Sequence, residues 1–412
     1  MSILIFNHHS KIMSTDQRFF LIPTFVTLAI CAAEVGISFN SVLLPNIQDN
    51  FQVSEAIAQS SVSIGLFALG FFGIIYGAIS DILGRKPMFL IAIGLFSLAS
   101  LLCASANTLG TFLIAKFIQG AGSGASWIVG NATLKDIFHG KDYVNIMNKI
   151  HAIAGITPAI APFIGASIAQ HFSWRHAFYA LAGFGFICWI GMALFQQETL
   201  KIKKRFSIQH IMNEYQQLWT NQSYLYFLFI KVACVSILFV DISQTPLILI
   251  SHLNVPQSDY GYYLIPSFLT YIFASVVAAK FSEKSLSFLK MGLVLILICA
   301  AGLILIPLTA INSALIKCFL YLGFGMIFGN ATALIIISAE AAAGSASAIM
   351  IGLEMLISAL GIAIVAVFFK GTYLPFALFA SVMSCLSLVS LQRYQKHLQR
   401  SGTGSKPPFD QG

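Results

Sequence analysis

The hydrophobic positions of this chain fall into long unbroken runs, not into the stripes of soluble helices or the alternation of strands. Twelve runs stand out, roughly 19–43, 57–79, 88–106, 110–134, 148–171, 176–196, 223–250, 260–281, 289–308, 313–338, 345–369 and 373–392. Each approaches the ~20 apolar residues that cross ~30 Å of hydrocarbon as α-helix. A helix satisfies its own backbone N–H and C=O groups, which lipid cannot do. The runs therefore predict an all-α membrane protein with twelve transmembrane helices. An even number of crossings leaves both termini on one side.

The polar stretches divide these helices. Residues 197–222 form the one long polar stretch before the tail, and they split six helices from six. The expected organisation is a tail over 1–18, a six-helix bundle over 19–196, a linker over 197–222, a second six-helix bundle over 223–392 and a tail over 393–412. In the linker, Phe206, Ile208, Ile211, Tyr215, Leu218 and Trp219 mostly recur at helical spacing behind Lys201, Lys203, Lys204 and Arg205. That pattern predicts an amphipathic helix on the inner leaflet, with a plain solvated linker as the alternative. Gly130-Asn131-Ala132-Thr133 in span 4 recurs as Gly329-Asn330-Ala331-Thr332 in span 10, an offset of 199 residues shared by Gly124 and Gly323. Such a match suggests two duplicated, pseudo-symmetric bundles.

Composition narrows the class. Hydrophobic residues make up 58% of the 412 and charged residues 9%, against about 25% charged in soluble domains, so a soluble fold could not cover itself. The net charge of +8 resides mainly in short loops, which argues against a nucleic-acid surface. One set of loops holds Arg85, Lys86, Lys135, Lys141, the run at 201–205, Lys280, Lys284 and the basic tail; the other holds little beyond Arg175 and Lys370. By the positive-inside rule both termini and the linker are cytoplasmic. The first run reads as an uncleaved signal anchor, with Met13 as an alternative start. The seven cysteines all sit in apolar runs without a C-x-x-C pair and read as packing residues. No H-E-x-x-H or G-x-S-x-G spacing points to an enzyme.

The loop after span 2 reads Gly77-Ala78-Ile79-Ser80-Asp81-Ile82-Leu83-Gly84-Arg85-Lys86-Pro87. Gly77 permits close helix approach, and Gly84 permits a turn with positive φ. Asp81 can pair with Arg85 or face the N-terminus of a neighbouring helix. With Lys86, these residues predict a cytoplasmic gate that closes and opens as a charge latch.

This loop resembles the signature of the major facilitator superfamily. Lys116-Phe117-Ile118-Gln119-Gly120-Ala121-Gly122 is similar to the family's R-x-x-Q-G-x-G, with Lys in place of Arg. The segment from Gly155 to Ala166, with Pro158, Pro162 and Gly165, is similar to its antiporter motif. Trp174-Arg175-His176-Ala177-Phe178 resembles the segment before helix 6, and Leu44-Pro45 ends span 1. The set is most similar to the bicyclomycin-resistance branch of the drug:proton antiporters. The resemblance implies the major facilitator fold and a proton-driven exporter of small amphipathic or cationic molecules, working by alternating access. It implies a monomer in the bacterial inner membrane, driven by protons without a cofactor. A dedicated exporter of an endogenous metabolite stays open, as does an importer.

Ionisable groups at mid-membrane cost at least ~2.5–3.5 kcal/mol each, so they are functional candidates. Glu34, Asp241, Glu354 and Lys116 are the coupling candidates. A desolvated carboxyl can be neutral near pH 7 and ferry a proton. Glu34 is the first choice, because the resemblance lines the cavity with span 1, and Lys116 is expected to pair either with ionised Glu34 or with substrate. The bicyclomycin-type branch usually has Asp where this chain has Ser41, so the acid has moved to Glu34 or Asp241. Lys231 either snorkels or pairs, and Lys317, near a span end, is expected to snorkel. Ten residues separate Lys231 from Asp241, too far round the helix for a pair. The cavity expected from spans 1, 2, 4, 5, 7, 8, 10 and 11 takes Asn40, Trp127, Asn131, Tyr263, Tyr271 and Asn330 as lining.

Overall fold

A computed structural model describes residues 15–138, 140–200, 215–339 and 343–400. Among them, twelve long helices follow in chain order: α1 Thr15–Val42, α2 Glu55–Leu83, α3 Arg85–Ser105, α4 Leu109–Ile137, α5 Gly140–His171, α6 Trp174–Phe195, α7 Gln222–Pro246, α8 Tyr260–Lys280, α9 Ser285–Leu305, α10 Ala310–Ser338, α11 Ala343–Val367 and α12 Leu374–Arg400. A short helix, Leu44–Phe51, follows α1, and α7 runs on through a π-helical turn, Leu247–His252. Ten of the described helices are long and apolar enough to cross a membrane. The other two long helices are α4 and α5. The protein is a multi-pass all-α membrane protein.

Local chemistry sets the helix ends. Thr108 caps α4 by accepting from Thr111 N in a capping box, and Thr309 caps α10 by accepting from Asn312 N. Ser54 and Asn221 do the same for α2 and α7. The last helix outruns its expected end: α12 continues to Arg400. Buried Tyr394 explains the extension, since its ring packs 4.5 Å from that of Phe227. In the linker, 215–220 is helical, with Leu218 buried and Trp219 exposed. The rest of the expected amphipathic helix, the tail before α1 and the tail after α12 lie outside the described residues.

Packing repeats six helices on. In the first half α4 packs on α2 and α3, α6 on α3, and α1 on α5 and α6. In the second, α10 packs on α8 and α9, α12 on α9, and α7 on α11 and α12. The halves meet through α2 with α11, α5 with α8, and α1 with α7, as a two-fold axis requires.

Glycine contacts fix the register of the repeat. A Cβ on Gly122 would collide with the α3 backbone at Phe96 N (2.5 Å), and one on Gly323 would stand 3.0 Å from Gly292 O of α9. Gly124 abuts α2 at Leu69 O, and Gly325 abuts the backbone of α8 at Tyr271. The structural offset is therefore 201 residues, also the offset between Leu109–Ile137 and Ala310–Ser338. The four-residue match at 199 is out of register: Gly130 is packed against Val26, whereas Gly329 faces open space.

At the end away from Arg85 the bundles are tied by polar contacts. Gln257 Nε2 donates to Asn46 Oδ1 at 2.8 Å and to Val42 O at 3.2 Å. His252 Nε2 lies 2.6 Å from Glu55 Oε1, and Ser243 Oγ donates to Gln59 Oε1 at 3.3 Å.

Candidate functional site

Among the described residues, two clefts between the helices hold intramembrane charges. The first is lined by residues of α1, α2 and α4, among them Asn40, Lys116 and Gln119. The second takes Ser38 and Ser41 from α1, Pro158 and Pro162 from α5, Asp241 and Thr245 from α7, Tyr260 and Phe268 from α8 and Tyr321 from α10. It lies across the interface of the two bundles, and it brings the paired prolines of α5 to a buried carboxylate of α7. Each proline removes a backbone donor inside its helix. Close packing of this helix is visible further along: a Cβ on Gly165 would stand 3.0 Å from Phe39 Cδ1 of α1. Gly155 lies on α5 as well.

Asp241 is the acid of the second cleft. It is 1% exposed. Lys317 Nζ of α10 lies 2.8 Å from its Oδ1, and Tyr321 Oη donates to its Oδ2 at 3.2 Å. Lys317 also donates to Thr245 Oγ1 and stands 5.0 Å from the ring centre of Tyr373. The snorkelling expected of Lys317 does not occur: it is 1% exposed. The apolar run made it look terminal, but α10 begins at Ala310, which places Lys317 about 10 Å along the helix. A signal was present in the spacing. Asp241 and Thr245 are four apart on α7, Lys317 and Tyr321 four apart on α10, so each pair makes a polar stripe on one face. Thr245 and Tyr321 were missed for want of that reading, and nothing in the spacing pointed to Tyr260, which reaches the cleft from α8.

The other intramembrane charges have separate partners. Glu34 accepts from Trp127 Nε1 at 3.1 Å and is not among the residues lining either cleft. Its expected pairing with Lys116 is not made. Lys116 instead donates to Gln119 Oε1 at 2.5 Å, and Gln119 Nε2 donates on to Ser100 Oγ at 2.7 Å. One turn of α4 holds both Lys116 and Gln119, so the helix offers the lysine a nearer acceptor. Lys231 is buried, 4.0 Å from Glu354 Oε1 and 4.2 Å over the Phe328 ring, and does not pair with Asp241. The intramembrane charges thus form separate polar centres rather than one.

The expected lining residues scatter. Asn40 lines the first cleft and donates to Ser61 Oγ at 3.0 Å. Trp127 serves Glu34. Asn131, half-buried on α4, corresponds at the structural offset to Thr332 of α10, so Asn330 is not its counterpart. Asn330 instead accepts from Ser285 Oγ at 2.8 Å and ties α9 to α10. Tyr271 packs edge-on to Phe328, and Tyr263 packs against the apolar core.

The gate motif forms a compact cluster. Gly84, at φ +111°, is the whole turn between α2 and α3. Arg85 Nη1 lies 2.6 Å from Asp81 Oδ1 and its Nε 3.1 Å from Asp136 Oδ2 of α4. Glu198, past the end of α6, accepts from Arg85 N at 2.9 Å and Lys86 N at 3.3 Å, so it caps α3. Lys86 Nζ reaches Ala193 O at 2.9 Å. Asp136 and Glu198 were not legible in the motif, since they come from other parts of the chain. Gly77 contributes less than expected: a Cβ there would sit an ordinary 3.4 Å from Ile128 Cγ2. At the other end of the first bundle, Arg175 lies 4.5 Å over Trp174 and donates to Ala106 O and Asn50 Oδ1.

The described helices form two pseudo-symmetric six-helix bundles with polar centres inside their spans. Residues 26–392 match the Major Facilitator Superfamily, and the chain belongs to it. It is similar to the multidrug resistance protein MdtL of Shewanella oneidensis, 28% identical over 262 residues, covering 63% of this chain and 66% of that protein, just short of two thirds of its length. It is similar to the chloramphenicol resistance protein CraA of Acinetobacter baumannii, 26% identical with 92% of each covered. The fold also matches the crystal structure of a bacterial homolog of the human lysosomal transporter Spinster, in an inward-facing, unoccupied conformation. There the TM-score is 0.73 at 12% identity, with 93% of this chain and 98% of the other covered.

Proposed function

We propose that this protein is a proton-driven antiporter that exports small amphipathic or cationic molecules by alternating access. It works as a monomer in the bacterial inner membrane, with both termini and the linker in the cytoplasm, and needs no cofactor. One observation carries the reading: the antiporter prolines Pro158 and Pro162 and the buried carboxylate Asp241 line a single cleft between the bundles. A group that exchanges a proton for a substrate has to sit where the two bundles move against each other, beside the element that seals one side. The names of MdtL and CraA support drug efflux as the direction. The asymmetry of basic loops supports the orientation. Purified protein in proteoliposomes tests it. Substrate should move against its gradient when a pH gradient is imposed and should stop moving when the gradient is collapsed. Flux that ignores the pH gradient would overturn the reading.

A further inference from the structure

The position of Lys317 relative to Asp241 carries a more specific conclusion, which rests on the antiport reading above. Asp241 faces the second cleft, whereas Lys317 is not among the residues lining it. Lys317 stands behind the carboxylate, held by Asp241, Thr245 and the Tyr373 ring. The cleft is thus lined by the acid of the pair and not by its lysine. The remaining walls are Tyr260, Leu264, Phe268, Tyr321 and the two prolines, with Ser38 and Ser41 from α1. Aromatic faces around one carboxylate suit an organic cation.

Such a cation sets up a conflict. One buried carboxylate compensates one positive charge, and a second uncompensated charge in the same site is costly. The titratable groups around the pair are Asp241 from α7, Tyr260 from α8, Tyr321 from α10 and Tyr373 ahead of α12. Phenols are ordinarily neutral at pH 7, and the α1 and α5 residues at the cleft carry no charge. The lysine is then the group able to give up a positive charge, which an arginine in its place could not do.

We propose that Lys317 carries the exchanged proton and that the substrate is a monovalent aromatic cation. The Asp241 carboxylate with the Lys317 ammonium takes up one cation. It becomes a carboxylate–cation pair beside a neutral Lys317 amine. One N–H bond of the ammonium breaks, its electron pair stays on nitrogen, and the proton leaves to water. Reprotonation of Lys317 from the opposite side restores the internal pair and expels the cation. The cycle moves one positive charge each way, so it is electroneutral.

The experiment uses full-length purified protein and benzyltrimethylammonium, whose charge does not titrate. Wild-type affinity should rise about tenfold per pH unit, with one proton released per cation bound. Lys317→Arg should bind about tenfold more weakly or worse, with no pH dependence. Lys317→Met, in which Asp241 alone exchanges the proton, should have an affinity that levels off at a lower pH than in the wild type. Asp241→Asn combined with Lys317→Met removes both charges, should stay monodisperse and should not bind the cation. Wild-type binding and proton release by Lys317→Arg, or a wild-type pH profile in Lys317→Met, would overturn the assignment, as would cation binding by the double variant. In proteoliposomes, flux of the cation should follow the pH gradient and ignore an imposed membrane potential. A wild type that releases its proton on binding yet moves no cation would overturn the antiport reading and leave the role of Lys317 standing.

Discussion

Glu34, Lys116, Lys231, Asp241, Lys317 and Glu354 lie within the described spans away from the gate, and their surroundings rank them. Asp241 is enclosed, paired and set at the bundle interface. Glu34 is half-buried, held by the Trp127 indole N–H and outside both clefts. Glu34 thus stands apart from the cleft in which the α5 prolines meet Asp241. Asp241→Asn should therefore abolish pH-gradient-driven export, and Glu34→Gln should keep most of it; flux from proteoliposomes containing each variant measures the difference. Loss of export only in Glu34→Gln would return the proton to α1. Ser41 shows why the acid can sit elsewhere. It lines the same cleft as Asp241, so an acid on α7 borders the same space as one at position 41 would.

At the scale of the element, helix ends and crossings do the positioning. Glu198 places a carboxylate at the N-terminus of α3, where free N–H groups and the helix dipole favour it. Glu198→Ala should destabilise the protein by about 1–2 kcal/mol, read as a lower melting temperature in detergent. Asp81→Asn removes an ion-pair partner of Arg85, and the latch reading expects loss of transport at unchanged abundance; normal flux at wild-type abundance would sink it. The crossing of α4 over α2 admits no side chain at Gly124, where a Cβ would stand 2.8 Å from Leu69 O. Gly124→Val should cost folded protein, measured as monodisperse yield after extraction, whereas Gly329→Ala, in open space, should cost nothing.

Across the whole molecule, the proposed antiport requires the two bundles to part at one end and then at the other. The end away from Arg85 is tied by Gln257 to Asn46 and by His252 to Glu55. Introducing Asn46→Cys together with Gln257→Cys and oxidising the pair should lock that end. We expect flux to stop on cross-linking and to recover with reductant; undiminished flux through the cross-linked protein would exclude separation of the bundles there.

The amino-acid sequence alone determined the class and the number of long helices. Those follow from the thickness of hydrocarbon and from the backbone's need for hydrogen bonds, both of which act on local runs of residues. It also determined the turn at Gly84, because positive φ is a property of one residue. Tertiary structure decided which charges meet. Lys317 was hidden because its depth depends on where α10 starts, and its partner Asp241 lies 76 positions away in the chain. The Glu34–Lys116 pairing failed because Trp127 and Gln119 were nearer. The repeat register was also decided in three dimensions: identity of four residues marked 199, while the packing of Gly122 and Gly124 against their neighbours, mirrored by Gly323 and Gly325, fixed 201. Close backbone contact is a constraint between helices, and no single run of sequence contains it.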